Sequence, residues 1–170
     1  MDNQKESQKF GEELDEMISF SIDEEDYAVN IQTVKEVIRI KEISRLPKTP
    51  SFVKGVINLR GDVIPIIDLR DKFGLEQREY TKMTRVIVAE LDGRPVGMAV
   101  DSASQVIRIS SSDIEPPPPL VGGLSGEYLR GIGKLGEKLI ILLNIDRILT
   151  AEEKIELERM EEVREPVEVN

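Results

Sequence analysis

Apolar residues along this chain come in short runs, many of them β-branched, and turn-forming residues separate the runs. Runs of four to eight such residues bounded by Gly, Pro, Asn and Asp are typical of β-strands. The pattern predicts strands over Met17–Ile22, Tyr27–Asn30, Val34–Ile40, Val56–Leu59, Val63–Ile67, Thr84–Leu91, Arg94–Val100, Gln105–Ile109, Tyr128–Ile132 and Lys138–Leu143. Tight turns are predicted at Arg60-Gly61-Asp62 and at Asp92-Gly93, the latter a strong hairpin signal.

Only three stretches have a helical pattern. Pro50–Gly55 predicts one helical turn, with proline first and glycine last. Asp68–Phe73 predicts a short helix that Asp68 caps and Gly74 ends. Thr150–Val163 predicts a C-terminal helix with a capping box from Thr150 to Glu153, partly formed, exposed, and frayed beyond Arg164.

The predicted strands repeat. Val37-Ile38-Arg39-Ile40 recurs as Val106-Ile107-Arg108-Ile109, a shift of 69 positions that holds without a gap from Ile18 to Pro47. One further position aligns Leu59-Arg60-Gly61 with Leu129-Arg130-Gly131. Two half-length copies indicate two similar subdomains related by a pseudo-twofold axis. Five short strands per copy suffice to close a small barrel, and closure removes exposed edge strands.

Composition narrows the possible chemistry. The chain of 170 residues contains neither cysteine nor histidine, which removes thiolate nucleophiles, the commonest general base and the commonest metal ligands. Gly131–Gly136 matches the glycine pattern of a dinucleotide site, but a β-type run follows it where that site needs a helix, so we interpret it as a hairpin turn. A metal site built only from carboxylates is compatible with this composition, but the spacing of an EF-hand is absent from the sequence, and we expect no enzyme, no cofactor and no metal site.

Charge is concentrated at the two ends. Residues 1–17 carry six acidic and two basic side chains, and residues 151–170 carry eight and three, which leaves about −1 of the total −10 for the body. A chain without a basic patch is a poor partner for nucleic acid. No apolar run reaches the ~20 residues of a membrane span, and the polar, acidic N-terminus lacks the pattern of a secretory signal. We expect a cytoplasmic protein.

Two charged residues interrupt apolar stretches, and each has two possible roles. Arg60 either forms a bridge to a carboxylate that braces its turn or faces a partner. Glu36 aligns with Gln105 in the second copy, so the fold does not demand its charge, which favours a role specific to the first copy.

The apolar run around Glu36 poses a similar choice. Ile31, Val34, Val37, Ile38 and Ile40 cannot all face one barrel interior, because neighbouring strand residues point to opposite faces. Some of them either pack against the other copy or form a binding patch.

The segment Asn58–Arg70, NLRGDVIPIIDLR, with Pro50–Ile57 before it, closely resembles the signature segment of chemotaxis coupling proteins of the CheW type. The similarity extends through Val34–Val37 and Val96–Asp101 and covers residues from about 17 to 149. The resemblance implies a mainly β fold of two pseudo-symmetric, five-stranded barrels of the Src-homology type packed together, with short helices and a C-terminal helix. We place the first barrel at about residues 17–80, the second at about 81–150, a flexible acidic end at 1–16 and an acidic helix or tail at 151–170.

The same resemblance implies a non-enzymatic adaptor that couples chemoreceptors to the histidine kinase CheA in signalling arrays at the membrane. Its expected partners are the regulatory domain of CheA and the cytoplasmic tip of methyl-accepting chemoreceptors. The alternative is a CheW-like fragment of a larger signalling protein of the CheA or CheV type. Carried over by position, the candidates for kinase or receptor contact are Glu36, Gly55, Asn58 and Arg60. The candidates for an apolar groove are Val34, Val37, Val100 and Ile107.

Overall fold

The computed structural model describes residues 14–45, 47, 49–117, 120–121, 124–125 and 128–168. The predicted flexible end at 1–16 falls largely outside these residues. The described residues form thirteen strands: β1 Leu14–Ile22, β2 Glu25–Asn30, β3 Val34–Arg39, β4 Val53–Leu59, β5 Asp62–Asp68, β6 Arg85–Leu91, β7 Arg94–Val100, β8 Ser102–Ser110, β9 Ile114–Glu115, β10 Leu120–Val121, β11 Leu124–Ser125, β12 Leu129–Leu135 and β13 Lys138–Leu143.

Helices are few. The α-helices are α1, Leu69–Lys72, and α2, Ala151–Glu168. Asp68 caps α1 by accepting a hydrogen bond from the backbone N–H of Arg70 at 2.9 Å, as predicted. The predicted helical turn at Pro50–Gly55 is wrong: one backbone hydrogen bond from Val53 to Pro50 makes a turn there, and β4 begins at Val53.

The strands form two main sheets. One has the order β3-β6-β7-β5-β4, and the other β8-β1-β2-β13-β12-β9. The segment after β3 closes the first sheet, because Ser44 exchanges two backbone hydrogen bonds of 2.8 Å with Val56 on β4. The continuous segment from β8 to β9 closes the second, since β8 pairs with β1 and β9 with β12. The predicted fold class, mainly β with two small barrels, short helices and a C-terminal helix, is confirmed.

Each barrel contains one hairpin from the other half of the chain. The β1–β2 hairpin joins β8 and β13, whereas the β6–β7 hairpin joins β3 and β5. The expected boundary near residue 80 therefore does not separate the two sheets. Consecutive hydrophobic patterns could not show this exchange, because they specify which face of a strand is buried and leave its partner strand open.

The repeat is accurate in structural detail. The β3–β6 and β8–β1 pairs correspond at the predicted shift of 69, and both contain a bulge at the same point. Glu36 opposes Val88 beyond the first bulge, and Gln105 opposes Ser19 beyond the second. The predicted copies are therefore structural equivalents through β3 and β8.

One part of the predicted alignment is wrong. The β4–β5 register shifts between Val53 and Gly55, and the β12–β13 register shifts between Leu129 and Gly131. These matching bulges make Gly131 the equivalent of Gly55. Arg130 is therefore the equivalent of Lys54, and Arg60 at the β4–β5 turn has no arginine counterpart. The shared Leu-Arg-Gly therefore does not mark a common turn.

Three apolar clusters hold the fold together. One fills the first barrel, one fills the second, and the largest lies between the barrels and beneath α2. The first-barrel cluster contains Ile57, Leu59, Ile64, Ile66, Val86, Val88 and Ala99. The second-barrel cluster contains Met17, Ala28, Ile107, Ile109, Ile140 and Leu142. Leu157 and Met160 of α2 belong to the inter-barrel cluster, so the prediction of an exposed C-terminal helix is wrong for its first half.

Candidate functional site

The turn between β4 and β5 projects from one end of the first barrel. Arg60 and Gly61 both have positive φ, +52° and +93°, which is typical of a two-residue hairpin turn. Asn58 accepts a hydrogen bond from the backbone N–H of Gly61 through its side-chain oxygen, at 2.9 Å. Asn58 and Arg60 are both exposed. The sequence thus builds a rigid turn that holds an arginine toward solvent.

Arg60 forms an ion pair with Glu36 on β3. The Arg60 side chain is 69% exposed and that of Glu36 31% exposed. Since β3 and β4 are the two outer strands of the five-stranded sheet, this pair spans the seam at which the barrel closes. Two of the predicted contact residues are thereby brought together, and Asn58 lies two residues from Arg60. We call Glu36, Asn58 and Arg60 the seam cluster.

Gly55, the fourth predicted contact residue, serves the closure itself. It is buried, and a Cβ placed there would stand 2.5 Å from the carbonyl oxygen of Ser44. That oxygen accepts the hydrogen bond from Val56 that closes the barrel. A buried glycine without a side chain presents little to a partner, so the structure favours a packing role for Gly55.

The predicted groove residues divide into two groups. Val34 and Val37 are half-buried against the inter-barrel cluster. Val100 and Ile107 are buried, the latter inside the second barrel opposite Met17. Neither side chain is exposed in this structure, and their assignment to an apolar groove between the barrels stays a prediction.

Val106 is the residue that sequence reasoning missed. It is 51% exposed and lies directly opposite Ile18 on β1, which also packs against the inter-barrel cluster. The signal was present in the repeat, since the shift of 69 aligns Val37 with Val106 and Ile38 with Ile107. We call Ile18, Val34, Val37, Ala103 and Val106 the apolar rim, because the first four pack against this cluster and Val106 lies opposite Ile18.

A second omission is the buried Arg70 on α1. Its Nη1 donates hydrogen bonds to Asp23 at 2.8 Å and Asp101 at 2.9 Å, and its Nε donates to the carbonyl of Glu76 at 2.7 Å. Asp23 directly follows β1 of the second barrel, and Asp101 directly follows β7 of the first. Arg70 therefore joins both barrels. The sequence showed the arginine but gave no way to find its two carboxylates, which lie 47 and 31 residues away.

The buried Asp68 and the more exposed Tyr80 form a second polar pair. The Tyr80 hydroxyl donates to Asp68 at 3.0 Å. Burial raises the pKa of the Asp68 carboxyl above its ordinary value, against the lowering effect of the hydrogen bonds from Arg70 and Tyr80. Burial, followed by the charge of Asp68, also raises the pKa of the Tyr80 hydroxyl. Asp68 is occupied by capping α1 and by accepting from Tyr80, so these contacts give it a structural use.

Two features of other protein classes are absent from the described residues. Within residues 14–117, apart from 46 and 48, and the later described segments, no three or more Asp and Glu side chains are placed to hold a metal ion. In the same part of the chain, no helix has the length and apolar character needed to cross a membrane. What the surface offers is a charged cluster at one barrel end and an apolar rim between the barrels.

Comparison with known proteins agrees with this architecture. A family model described as "CheW-like domain" matches residues 16–153. The chemotaxis protein CheW of Klebsiella aerogenes is 41% identical over 138 residues, which cover 81% of this chain and 83% of that protein. The chemotaxis protein CheW of Helicobacter pylori is 37% identical over 142 residues, which cover 84% and 86%.

Structural comparison gives the same result. The crystal structure of the scaffolding protein TtCheW from Thermoanaerobacter tengcongensis superposes with a TM-score of 0.76 at 36% identity, covering 83% of this chain and 96% of that one. The matched region, residues 16–153, includes both barrels, the seam cluster, the apolar rim and the start of α2. On these grounds the chain belongs to the family of CheW-like domain proteins.

Proposed function

We propose that this protein is a chemotaxis adaptor that links the cytoplasmic tip of chemoreceptors to the regulatory domain of the histidine kinase CheA. Family membership supports the adaptor role, because the relatives are chemotaxis proteins and one is described as a scaffolding protein. The observation that carries the proposal is the exposed arginine that the closed seam of the first barrel holds at a fixed position.

The seam cluster is the proposed kinase contact. Arginine is enriched among the residues that dominate protein–protein binding, because its fork of donors meets carboxylates and its stem packs on apolar surface. The ion pair with Glu36 and the rigid turn restrict Arg60 before any partner arrives. A restricted side chain loses less conformational entropy on binding than a free one.

The apolar rim is the proposed receptor contact. Val106 and Ile18 form an apolar cross-strand pair at the edge of the inter-barrel cluster, with Val106 half exposed. An apolar strip of this kind suits the apolar face of a helix from a partner. Gly55 supports the first contact from within, through the barrel closure that places β4.

Coupling by this protein requires no bond to be made or broken. An adaptor transmits a signal when its contacts differ in free energy between two states of its partner, and the linkage acts in both directions. The two contacts proposed here lie on one compact pair of barrels, so a change at one is relayed through packed strands.

Calorimetry with the purified regulatory domain of a cognate CheA tests the kinase contact. We expect the unmodified protein to bind in the micromolar range or tighter, about −8 kcal/mol or better. Arg60→Ala is expected to weaken this binding at least tenfold while receptor binding persists. A matched control is Arg108→Ala, which removes an equally exposed arginine from the pair with Glu16 on the second barrel.

The receptor contact is tested with a soluble fragment of the receptor tip. Val106→Asp is expected to abolish receptor binding and spare kinase binding, whereas Leu139→Asp, at a more exposed apolar position on β13, spares both. Absence of any binding to a cognate kinase domain by the unmodified protein would refute the proposed function.

A further inference from the structure

The polar contacts that join the two barrels differ between the two sides of the pseudo-twofold axis. On one side Arg70 binds Asp23 and Asp101 and so joins α1 to both barrels. On the opposite side the repeat places Asp146 where Arg70 stands, and Asp92 where Asp23 stands. Two carboxylates in these positions repel each other and cannot form an equivalent ion pair. Other contacts must therefore hold the barrels together on that side.

Helix α2 supplies contacts on this second side. It follows β13 of the second barrel through one short turn, Ile145–Arg147. Its charged side chains nevertheless pair with the first barrel and α1. Glu153 binds Lys72 at 2.7 Å, Lys154 approaches Asp92 to 3.7 Å, and Glu158 binds Arg94 at 3.2 Å.

Apolar contacts also join α2 to the first barrel. Leu157 is 6% exposed and shares a narrow cleft with Pro65, Leu91 and Val96 of the first barrel. Met160, one turn further along, is also buried in the inter-barrel cluster. Ile155 is 48% exposed, so α2 buries one face.

We propose that α2 is a strap that fixes the spacing between the two barrels, with Leu157 as its main positioning residue. A helix that is continuous with one barrel and packs against the other restricts the distance between the two barrels. The strap thereby sets the distance between the seam cluster and the apolar rim, a consequence that rests on the proposed function.

The strap opens more readily than the barrels unfold. Its ion pairs with Asp92 and Arg94 are substantially exposed, and exposed pairs are weak and screened by salt. The strands beneath it are held by backbone ladders and by three apolar clusters. Local opening of such a peripheral element occurs at lower free energy than global unfolding.

The test measures the distance between the barrels directly. The chain has no cysteine, so spin labels can be attached at Glu42→Cys on the first barrel and Glu137→Cys on the second. Both residues are exposed. Pulsed electron paramagnetic resonance then gives the distance distribution between the labels in the complete chain.

Leu157→Asp is compared with Ile155→Asp, which places the same charge on the exposed face of the same helix. We expect Leu157→Asp to broaden or shift the distribution and Ile155→Asp to leave it narrow, with both variants retaining cooperative thermal unfolding. Should Leu157→Asp fail to fold, Leu157→Ser and the loss of the capping box in Thr150→Ala provide milder detachment. A folded variant whose α2 amides exchange freely but whose distance distribution is unchanged overturns the proposal.

The result is independent of the proposed function, because the distance is measured without partners. If the distance responds to Leu157 while no kinase domain binds, the strap is supported and the adaptor function is refuted. If kinase and receptor bind but the distance does not respond, the adaptor function is supported and the strap is refuted.

Discussion

Arg60 and Glu36 join the two outer strands of a five-stranded sheet across the seam at which the sheet closes into a barrel. The pair is compatible with both interpretations that the sequence left open, since it links the turn to β3 and leaves most of the arginine exposed. Separating the two roles requires substitutions that preserve the pair while moving its charges.

The charge-exchanged variant Arg60→Glu with Glu36→Arg is expected to keep its thermal stability and lose kinase binding. An exposed pair contributes about 0–1 kcal/mol to folding, so neither single substitution should unfold the protein. The same exchange at Lys35 and Glu90, an exposed pair on the same barrel, is the control and should retain binding. Wild-type affinity in the Arg60–Glu36 exchange would show that the pair only braces the seam.

Gly55→Ala is expected to destabilise the protein by about 2 kcal/mol or more, because the new methyl group displaces the backbone of Ser44. Gly131→Ala should have a similar effect, since its Cβ would stand 2.7 Å from the carbonyl oxygen of Glu115. Gly61→Ala is the control: it meets no atom within 4 Å and carries only the cost of a positive φ, about 1 kcal/mol. Urea unfolding measures all three, and equal losses would contradict the steric explanation.

Arg70→Ala is expected to reduce the free energy of unfolding by about 2–3 kcal/mol, at the low end for a broken buried ion pair because water reaches both carboxylates. Asp23 and Asp101 are about one-third exposed, which lessens the penalty for losing their partner. Arg108→Ala, which breaks an exposed pair with Glu16, should cost less than about 1 kcal/mol. Similar losses of unfolding free energy in the two variants would show that the Arg70 contact between the barrels stabilises the fold no more than an exposed ion pair does.

Alkaline pH should destabilise the fold through Tyr27. Burial, then the charges of Glu25, Asp23 and Asp101, raises the pKa of its hydroxyl from 10.0 to about 12. The folded state thus holds this proton more tightly than the unfolded state, so the stabilisation is present below pH 10 and is lost between about 10 and 12. Ultraviolet titration of tyrosinate should show one late-ionising tyrosine fewer in Tyr27→Phe than in wild type, because the Tyr80 hydroxyl also has a raised pKa and remains in the variant. An ordinary pKa for all tyrosines would contradict the burial of this hydroxyl.

The sequence alone determined most of the local structure. Turn residues such as Asp92-Gly93 and the cap at Asp68 act within a few positions, so their geometry follows from neighbouring residues. The capping box of α2 formed as predicted, with Thr150 and Glu153 exchanging hydrogen bonds of 3.0 and 3.1 Å. The repeat also fixed the equivalence of β3 and β8, because an ungapped shift preserves the alternation of faces.

Tertiary structure decided what depends on distant pairing. Hydrophobic alternation could not tell that β1–β2 and β6–β7 are exchanged between barrels, because each hairpin offers the same buried face to either one. The bulge at Gly131 moved Arg130 away from the position that its local sequence suggested. The ion pairs of Arg70 with Asp23 and Asp101 join three segments that are distant in sequence. Such long-range pairs leave no local pattern in the chain, so only the tertiary structure reveals them.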